Sequence, residues 1–455
     1  MSGIKQTTNI CFVANFYKTY LFHEIASKLL LEGVNVFWVV TKLEQYNFLK
    51  KHYGSQHVLY INRSFIHQTS PIVDDFKLNE LLYGDRVLRH EMNNGLRFLT
   101  NIQRPLYDFL LKNEIRFVFG EITWAHELLL QRMAKKRTEL NCRYLQCSDI
   151  RIPNSRFAFF VDERSCSMME FDEPYNTNEV IKIEKPKYLG LIENILKDKI
   201  SLLGRLKRLK RFFSGENIEK NDPNVVTNKL TRLKIAATEE INKSSYSLLR
   251  TVKFEQIENE KFIFFGFHKQ PENSIDVQGR YYEDQYLTVR NLWRLLPTGW
   301  KIVVKEHTNA IGDRSYTFYK KLLKYPNIIL AHEKIDSKLL IEKSQLVVTV
   351  SGTMAYEAAL MKKPSITFAR VFFNGINYCK FVSLDDLLKY ESLTTLVSEL
   401  NSREDNRLEF SNYLLRNTFE GYISDYVTDP MVMDETNVKK ISAGFLKLIN
   451  KYNKI

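Results

Sequence analysis

The sequence predicts an α/β protein of two Rossmann-like domains joined by a helical insertion. Three observations carry this expectation. Short apolar runs alternate with amphipathic segments in both halves of the 455 residues. The runs end in polar or small-residue turns, the rhythm of parallel β-α-β units. Between the halves, residues 176–255 are rich in Lys, Glu and Asn and poor in strand signals.

In the first half, Ile10–Ala14 reads as a buried strand followed by Asn15-Phe16-Tyr17. A helical pattern from about Tyr20 to Leu31 stops at Gly33, and Val34–Val40 is the next strand. His57–Ile61 gives a third strand. A long helical region, Arg86–Asn113, leads into the strand Ile115–Phe119, which ends in Gly120-Glu121. The helix Trp124–Lys135 and the strand Cys142–Gln146 follow, and the domain is expected to close near residue 175. Within the insertion 176–255, Leu191–Phe213 has apolar residues at helical spacing, with seven Lys and Arg residues on its other faces. Such a helix suits an anionic membrane surface, or equally a packed helix with a solvated basic face.

The second α/β domain, 256–433, opens with the strand Phe262–Phe265 and the helix Glu283–Leu296. Its strands Lys301–Lys305, Asn327–Leu330 and Leu346–Val350 run into Glu306-His307, Ala331-His332 and Ser351-Gly352-Thr353. Residues 434–455 read as a terminal helix. Two Rossmann-like domains facing each other across a cleft form the GT-B architecture, in which ligands sit at the carboxyl ends of the strands.

Composition narrows the function. Hydrophobic residues make up 44% of the chain and aromatics 13%, enough for real cores. Lys and Arg number 66 against 53 Asp and Glu, a net charge of +13 that favours an anionic partner. No apolar run reaches the roughly 20 residues of a membrane span. The N-terminus lacks a long apolar stretch with a small-residue cleavage site, so no signal peptide is expected. Five cysteines, none in a C-x-x-C pair, argue against a disulfide framework or zinc site and fit a reducing cytoplasm.

The candidate chemistry lies at the strand ends. Ser351-Gly352-Thr353 precedes a helix starting near Met354, so its hydroxyls and helix-end amides are potential phosphate donors. Many α/β loops share that composition without binding anything. Glu357, one turn into the helix, is placed to hold a ribose diol or to serve as a surface charge. Lys305 and His307 can neutralise and donate to phosphate. His268, at the end of the first strand of this domain, is expected to face the same cleft. In the first domain, Glu121 is the leading carboxylate for deprotonating an acceptor, with His126 one turn further on. Asp149 is the runner-up, and Arg151 beside it can hold an acidic acceptor. Each carboxylate also reads as an N-cap or a surface ion pair. No D-x-D triplet occurs, so a metal-chelating device of that kind is missing, and phosphate charge falls to Lys305, His307, helix amides and Arg314.

The run FFGFHKQPENS, followed by YYEDQ, LPTGWKIVVKEH, GDRSYTFY, PNIIL and VTVSGTMAYEAALMKKPSITF, resembles the C-terminal half of bacterial capsule polysaccharide biosynthesis proteins. That family includes the GT-B β-Kdo transferases of capsule assembly. The resemblance covers about residues 260–375; the N-terminal half is similar only in outline. It implies a metal-independent glycosyltransferase with no cofactor, whose substrate is a nucleotide sugar, CMP-linked by preference. It also implies that His307 and Ser351–Thr353 serve that nucleotide. Thr308 stands where the family usually has proline, which loosens the donor assignment.

The function expected is therefore transfer of a sugar, Kdo-like if the donor is CMP-linked, to a glycan or lipid-linked acceptor in surface polysaccharide synthesis. The enzyme would be cytoplasmic, and peripheral at the inner membrane face if the basic helix meets lipid. Two alternatives compete. A GT-B-like sugar-nucleotide epimerase needs no acceptor site. A nucleic-acid or anionic-polymer binder would use the basic surplus, but no nucleic-acid reading module is present.

Overall fold

The computed structural model describes residues 8–171, 175–184 and 219–452. It contains two sheets. The first is made of β1 (Asn9–Val13), β2 (Asn35–Val40), β3 (Val58–Tyr60), β4 (Phe117–Gly120), β5 (Arg143–Asp149) and β6 (Arg156–Phe160). The second is made of β7 (Phe262–Gly266), β8 (Lys301–Lys305), β9 (Ile328–Ala331), β10 (Leu346–Thr349), β11 (Ser365–Thr367) and β12 (Cys379–Phe381). A short strand, β13 (Phe419–Glu420), returns to the edge of the first sheet.

The strand orders are β13-β6-β5-β4-β1-β2-β3 and β12-β11-β10-β7-β8-β9. Apart from β6 and β13, which pair antiparallel, every strand is parallel to its neighbours. The central strands are apolar along their whole length because helices cover both faces. Ile10 through Val13 and Phe262 through Phe265 are all buried. Both sheets therefore have the doubly wound Rossmann order, and each has one point where consecutive strands leave in opposite directions. That point lies between β1 and β4 in the first sheet and between β7 and β10 in the second. The chain is thus an α/β protein of two parallel-sheet domains in the GT-B arrangement.

The nine strands expected from the sequence all form, with ends shifted by a few residues. β6, β11, β12 and β13 were not anticipated. The long helical region divides: a 3-10 turn at Leu88–His90 precedes the helix Met92–Lys112. Leu191–Phe213 lies outside the described residues. The described part of the insertion contains one helix, Lys229–Tyr246, started by the Asn228 side chain accepting from the Leu230 and Thr231 amides. It packs on the second domain through Tyr246 against Tyr319 and an Asn242 hydrogen bond to the Gly312 carbonyl at 3.0 Å. The final helix, Glu435–Tyr452, joins the first domain rather than the second. Its Val438, Ile441, Phe445, Leu448 and Ile449 share one core with Phe12, Phe119, Phe157 and Phe159.

The domains also meet directly. Arg280 of the second domain donates to Glu80 and Glu163 of the first, and Arg132 donates to the same two carboxylates from the other side. Tyr281 adds a hydrogen bond to Glu80 at 2.6 Å. Arg89 pairs with Asp276 at 3.2 Å, and the Tyr356 hydroxyl donates to the Ile152 carbonyl at 2.8 Å. Among the described residues, no helix is long and apolar enough to cross a membrane.

Candidate active site

The switch point of the second sheet is built around a buried histidine. His268 follows β7, and its Nε2 accepts from the Val350 and Ser351 amides, each at 3.2 Å. The Thr349 hydroxyl lies 2.7 Å from the same nitrogen and accepts from the Gly352 amide at 3.1 Å. An Nε2 that accepts from amides puts the ring proton on Nδ1 and disfavours the cation. Burial lowers the His268 pKa to about 3, and Arg314 and His307 push the same way. His268 thus holds the loop after β10 in shape. Gly352 is required there: a Cβ would lie 2.7 Å from Thr349 Oγ1 and 3.2 Å from the His268 ring. The Ser351 hydroxyl donates to the Ser274 carbonyl at 2.6 Å, so its proton is used within the protein. Thr353 opens the helix Thr353–Leu360.

The neighbouring end of β8 is also tied down. Glu306 is fully buried and receives Arg314 at 2.7 Å, the Tyr319 hydroxyl and the His307 amide at 2.9 Å. Arg314 is spent on Glu306 and the His268 carbonyl and lies over the Phe267 ring at 4.9 Å. It is therefore a buried structural cation, not the phosphate ligand expected. Lys305 is buried with Nζ 3.3 Å from Ser337 Oγ, and burial lowers its pKa against the pull of Asp336, Glu306 and Glu333. His307 begins the turn Thr308–Ala310, its Nδ1 accepting from the Asn309 amide at 3.2 Å. The residue is reachable by solvent, with protein packed around it. Desolvation there lowers its pKa; Glu272 opposes this, while Lys305, Lys269 and Arg151 reinforce it.

Arg151 belongs to the first domain. It sits just past β5 in a left-handed conformation, φ 65°. Its charge acts on Asp149 in its own domain and on His307 and Glu357 in the other. Among the described residues, the buried Asp149 Oδ1 has no hydrogen-bond partner. Burial raises its pKa to about 6, against Arg151 and Lys18. Burial also raises Glu357 to about 6, with Asp336 adding and Arg151 subtracting. Among the described residues, no cation pairs with the Glu357 carboxylate. The charge of Arg151 thus reaches Asp149 in its own domain and His307 and Glu357 in the other.

Glu121 stands at the switch point of the first sheet, in a denser network. Lys18 pairs with it, Asn15 Nδ2 donates to it at 2.9 Å and Thr123 Oγ1 at 3.3 Å. Burial pulls the Lys18 pKa down, but Glu121 more than offsets this and the net shift is upward. Behind Glu121, the buried Glu127 accepts from the Thr123 amide at 2.8 Å, the Trp124 amide at 3.0 Å and Asn15 at 3.2 Å. Burial, then the Glu121 charge, raises Glu127 to about 8 despite those amides. His126 is buried with Nε2 unpartnered, and burial lowers it to about 3; it offers nothing to the cleft.

Sequence reading passed over Glu306, Glu127, Asn15 and Lys18. Glu127 was accessible as an acid three residues after the helix start at Trp124. Asn15 and Lys18 follow β1, and their importance depends on β1 lying beside β4, which strand order alone reveals. Among the described residues, no group of His, Cys, Asp or Glu is arranged to hold a metal ion.

No protein-family model and no curated protein sequence matches the chain. Solved structures are similar at low identity. The beta Kdo 2,7 transferase of Thermosulfurimonas dismutans KpsC is 10% identical, covering 97% of this chain and 99% of its own, with a TM-score of 0.39. The UDP-GlcNAc 2-epimerase of Methanocaldococcus jannaschii is 12% identical over 90% and 98%, with a TM-score of 0.27. Anabaena Alr3699/HepE, solved with UDP-glucose, is 9% identical over 97% and 99%, with a TM-score of 0.28. Likenesses of this size assign neither a substrate nor a reaction to the chain.

Proposed function

We propose that this protein is a glycosyltransferase that moves a sugar from a nucleotide-activated donor on the second domain to a glycan acceptor on the first. One observation carries the reading. The charge of Arg151, beside the Asp149 carboxylate in the first domain, acts on both His307 and Glu357 of the second. A transferase needs a base on the acceptor side and donors for a leaving phosphate on the other.

In this reading Lys305 and His307 meet the leaving phosphate, helped by the Thr353 amide at the start of its helix. Glu357 holds the ribose. His268 and Ser351 keep the turn in place and act as positioning residues. Asp149 is the general base, because among the described residues no cation is bonded to it and a carboxylate near pKa 6 can accept a proton at neutral pH. Glu121, ion-paired with Lys18, is better suited to holding acceptor hydroxyls. No cofactor or metal takes part. A CMP-linked, Kdo-like donor and a surface-polysaccharide acceptor are favoured by the resemblance of residues 260–375. A cytoplasmic, membrane-peripheral location goes with that pathway.

Titration with CMP, UDP and GDP tests the donor side. One nucleotide should bind, and His307→Ala should weaken it by roughly 1.5–3 kcal/mol, the worth of a charge-assisted hydrogen bond. Unchanged affinity in the variant would reject the assignment of His307. The epimerase reading is tested by incubating donor alone: an isomerised nucleotide sugar without acceptor would replace transfer as the activity.

A further inference from the structure

The switch point of the first sheet carries a feature that neither phosphate binding nor proton transfer uses. Residues Ile10–Asn15 are buried, and the next two are suddenly open: Phe16 is 47% exposed and Tyr17 46%. Phe16 has φ 40°, a left-handed conformation that an aromatic residue adopts only at a cost. The surroundings enforce it. Gln45 Nε2 donates to the Phe16 carbonyl at 2.6 Å. The buried Trp124 meets the Phe16 ring edge-on at 5.3 Å and anchors its own Nε1 on Asn15 Oδ1 at 3.4 Å. Asn15 in turn donates to Glu121, and Glu121 pairs with Lys18. A large apolar ring is thus held in water, in a strained backbone, next to a partly open carboxylate–ammonium pair. All of this stands where β1 and β4 diverge, the position at which doubly wound sheets receive ligands.

The geometry points to a subsite for a pyranose ring, with Phe16 as its stacking platform. One face of a pyranose presents axial C–H groups that carry partial positive charge, which suits the negative face of an aromatic ring. Its edge presents vicinal hydroxyls, which need a donor and an acceptor side by side. Lys18 and Glu121 supply both. A planar apolar ligand would leave that ion pair unused. This subsite deepens the proposed function, since it rests on the acceptor lying on the first domain.

Saturation-transfer NMR with a panel of methyl pyranosides (gluco, galacto and manno, both anomers) at millimolar concentration tests it. At least one should receive saturation on the C–H protons of a single ring face. Phe16→Ala should abolish the signal and Phe16→Tyr should keep it. Phe16→Gly is the decisive variant. It relieves the left-handed backbone, so the melting temperature should hold or rise while sugar binding is lost. Absence of binding by every pyranoside, or equal binding by wild type and Phe16→Ala, overturns the subsite. So does a Phe16→Gly protein that melts several degrees lower and still binds sugar. Titration of the same samples with CMP, UDP and GDP separates the two ideas. Nucleotide binding without pyranoside binding sinks the platform alone. Pyranoside binding at Phe16 with no nucleotide bound sinks the transferase reading and leaves a sugar-binding site.

Discussion

The two domains share one strand order and fill the same topological position with opposite designs. In the second domain the switch point is closed by neutral hydrogen bonds. His268 gives its Nε2 to backbone amides, Thr349 links that ring to Gly352, and the polar atoms behind the loop are spent on one another. In the first domain it is built from charges. Glu121, Lys18 and Glu127 meet around Asn15, and an aromatic ring is left exposed beside them. Topology decides where a crevice opens, and the side chains of three or four residues decide what it can recognise.

The largest effect expected from breaking this comparison is catalytic. Asp149→Asn should lower transfer by about 100-fold or more while nucleotide affinity stays within error of wild type. Glu121→Gln should cost much less turnover and act mainly on acceptor KM. If Glu121→Gln is dead and Asp149→Asn is active, the two carboxylates exchange roles. The same assignment predicts that kcat/KM falls as pH drops below about 6, because Asp149 must be unprotonated to accept a proton. Steady-state kinetics from pH 5 to 8 would show whether that limb disappears in Asp149→Asn.

A smaller effect is on stability, and it should differ between the switch points. His268→Ala leaves two buried amides without an acceptor, at about 1–3 kcal/mol each. Asn15→Ala removes a bridge between carboxylates that keep other partners, and about 1–2 kcal/mol is expected. Urea denaturation of both variants ranks them; equal losses would erase the contrast between a closed loop and a charged one.

Acid should weaken both domains by one mechanism. His126 and His268, one in each domain, are held near pKa 3, below the ordinary 6.5. The unfolded chain takes up these protons first, so stability present above pH 6.5 is lost as pH falls toward 3. Glu127 works the other way. Its folded pKa of about 8 lies above the ordinary 4.5, so its contribution declines as pH rises between those values. Urea midpoints at pH 5 and 7 should differ less for His268→Gln than for wild type.

The smallest effect is on shape. Arg280→Ala removes the second domain's ion pairs with Glu80 and Glu163, which keep Arg132, and leaves Tyr281 on Glu80. Folding should change by about 1 kcal/mol or less, since both carboxylates remain paired. Small-angle scattering should show a larger radius of gyration; an unchanged value would mean that the remaining contacts, among them Tyr281–Glu80, Arg89–Asp276 and Tyr356–Ile152, suffice to hold the domains.

Much of this was legible in the residues. The buried parallel strands read clearly because Cys11-Phe12-Val13 and Ile302-Val303-Val304 are continuous apolar runs, a local property. β11 and β13 were not legible. Ser365–Thr367 and Phe419–Glu420 are two or three residues long and owe their conformation to neighbours. The same division holds at the site. His307, Glu357 and Asp149 were visible as polar residues near strand ends. The commitment of Arg314 to Glu306 was not, because it depends on packing across Phe267 and Phe318. Nor could residue spacing tell Glu121, bonded to Lys18, from Asp149 with an orphaned oxygen.

The last helix has a consequence for biosynthesis. Residues 423–449 complete the core that Ile10 begins, so a strand made before the second domain waits for a helix made after it. A ribosome releases the second domain's sheet, residues 262–381, before that helix exists. The later-encoded domain can therefore be the first to finish. Until then Phe12, Phe119, Phe157 and Phe159 lack the covering ring of Phe445. An emerging chain of this kind presents sticky aromatic surface for most of its synthesis, the situation in which nascent proteins recruit chaperones. A fragment ending at residue 171 should aggregate, while supplying 416–452 as a separate peptide should rescue it.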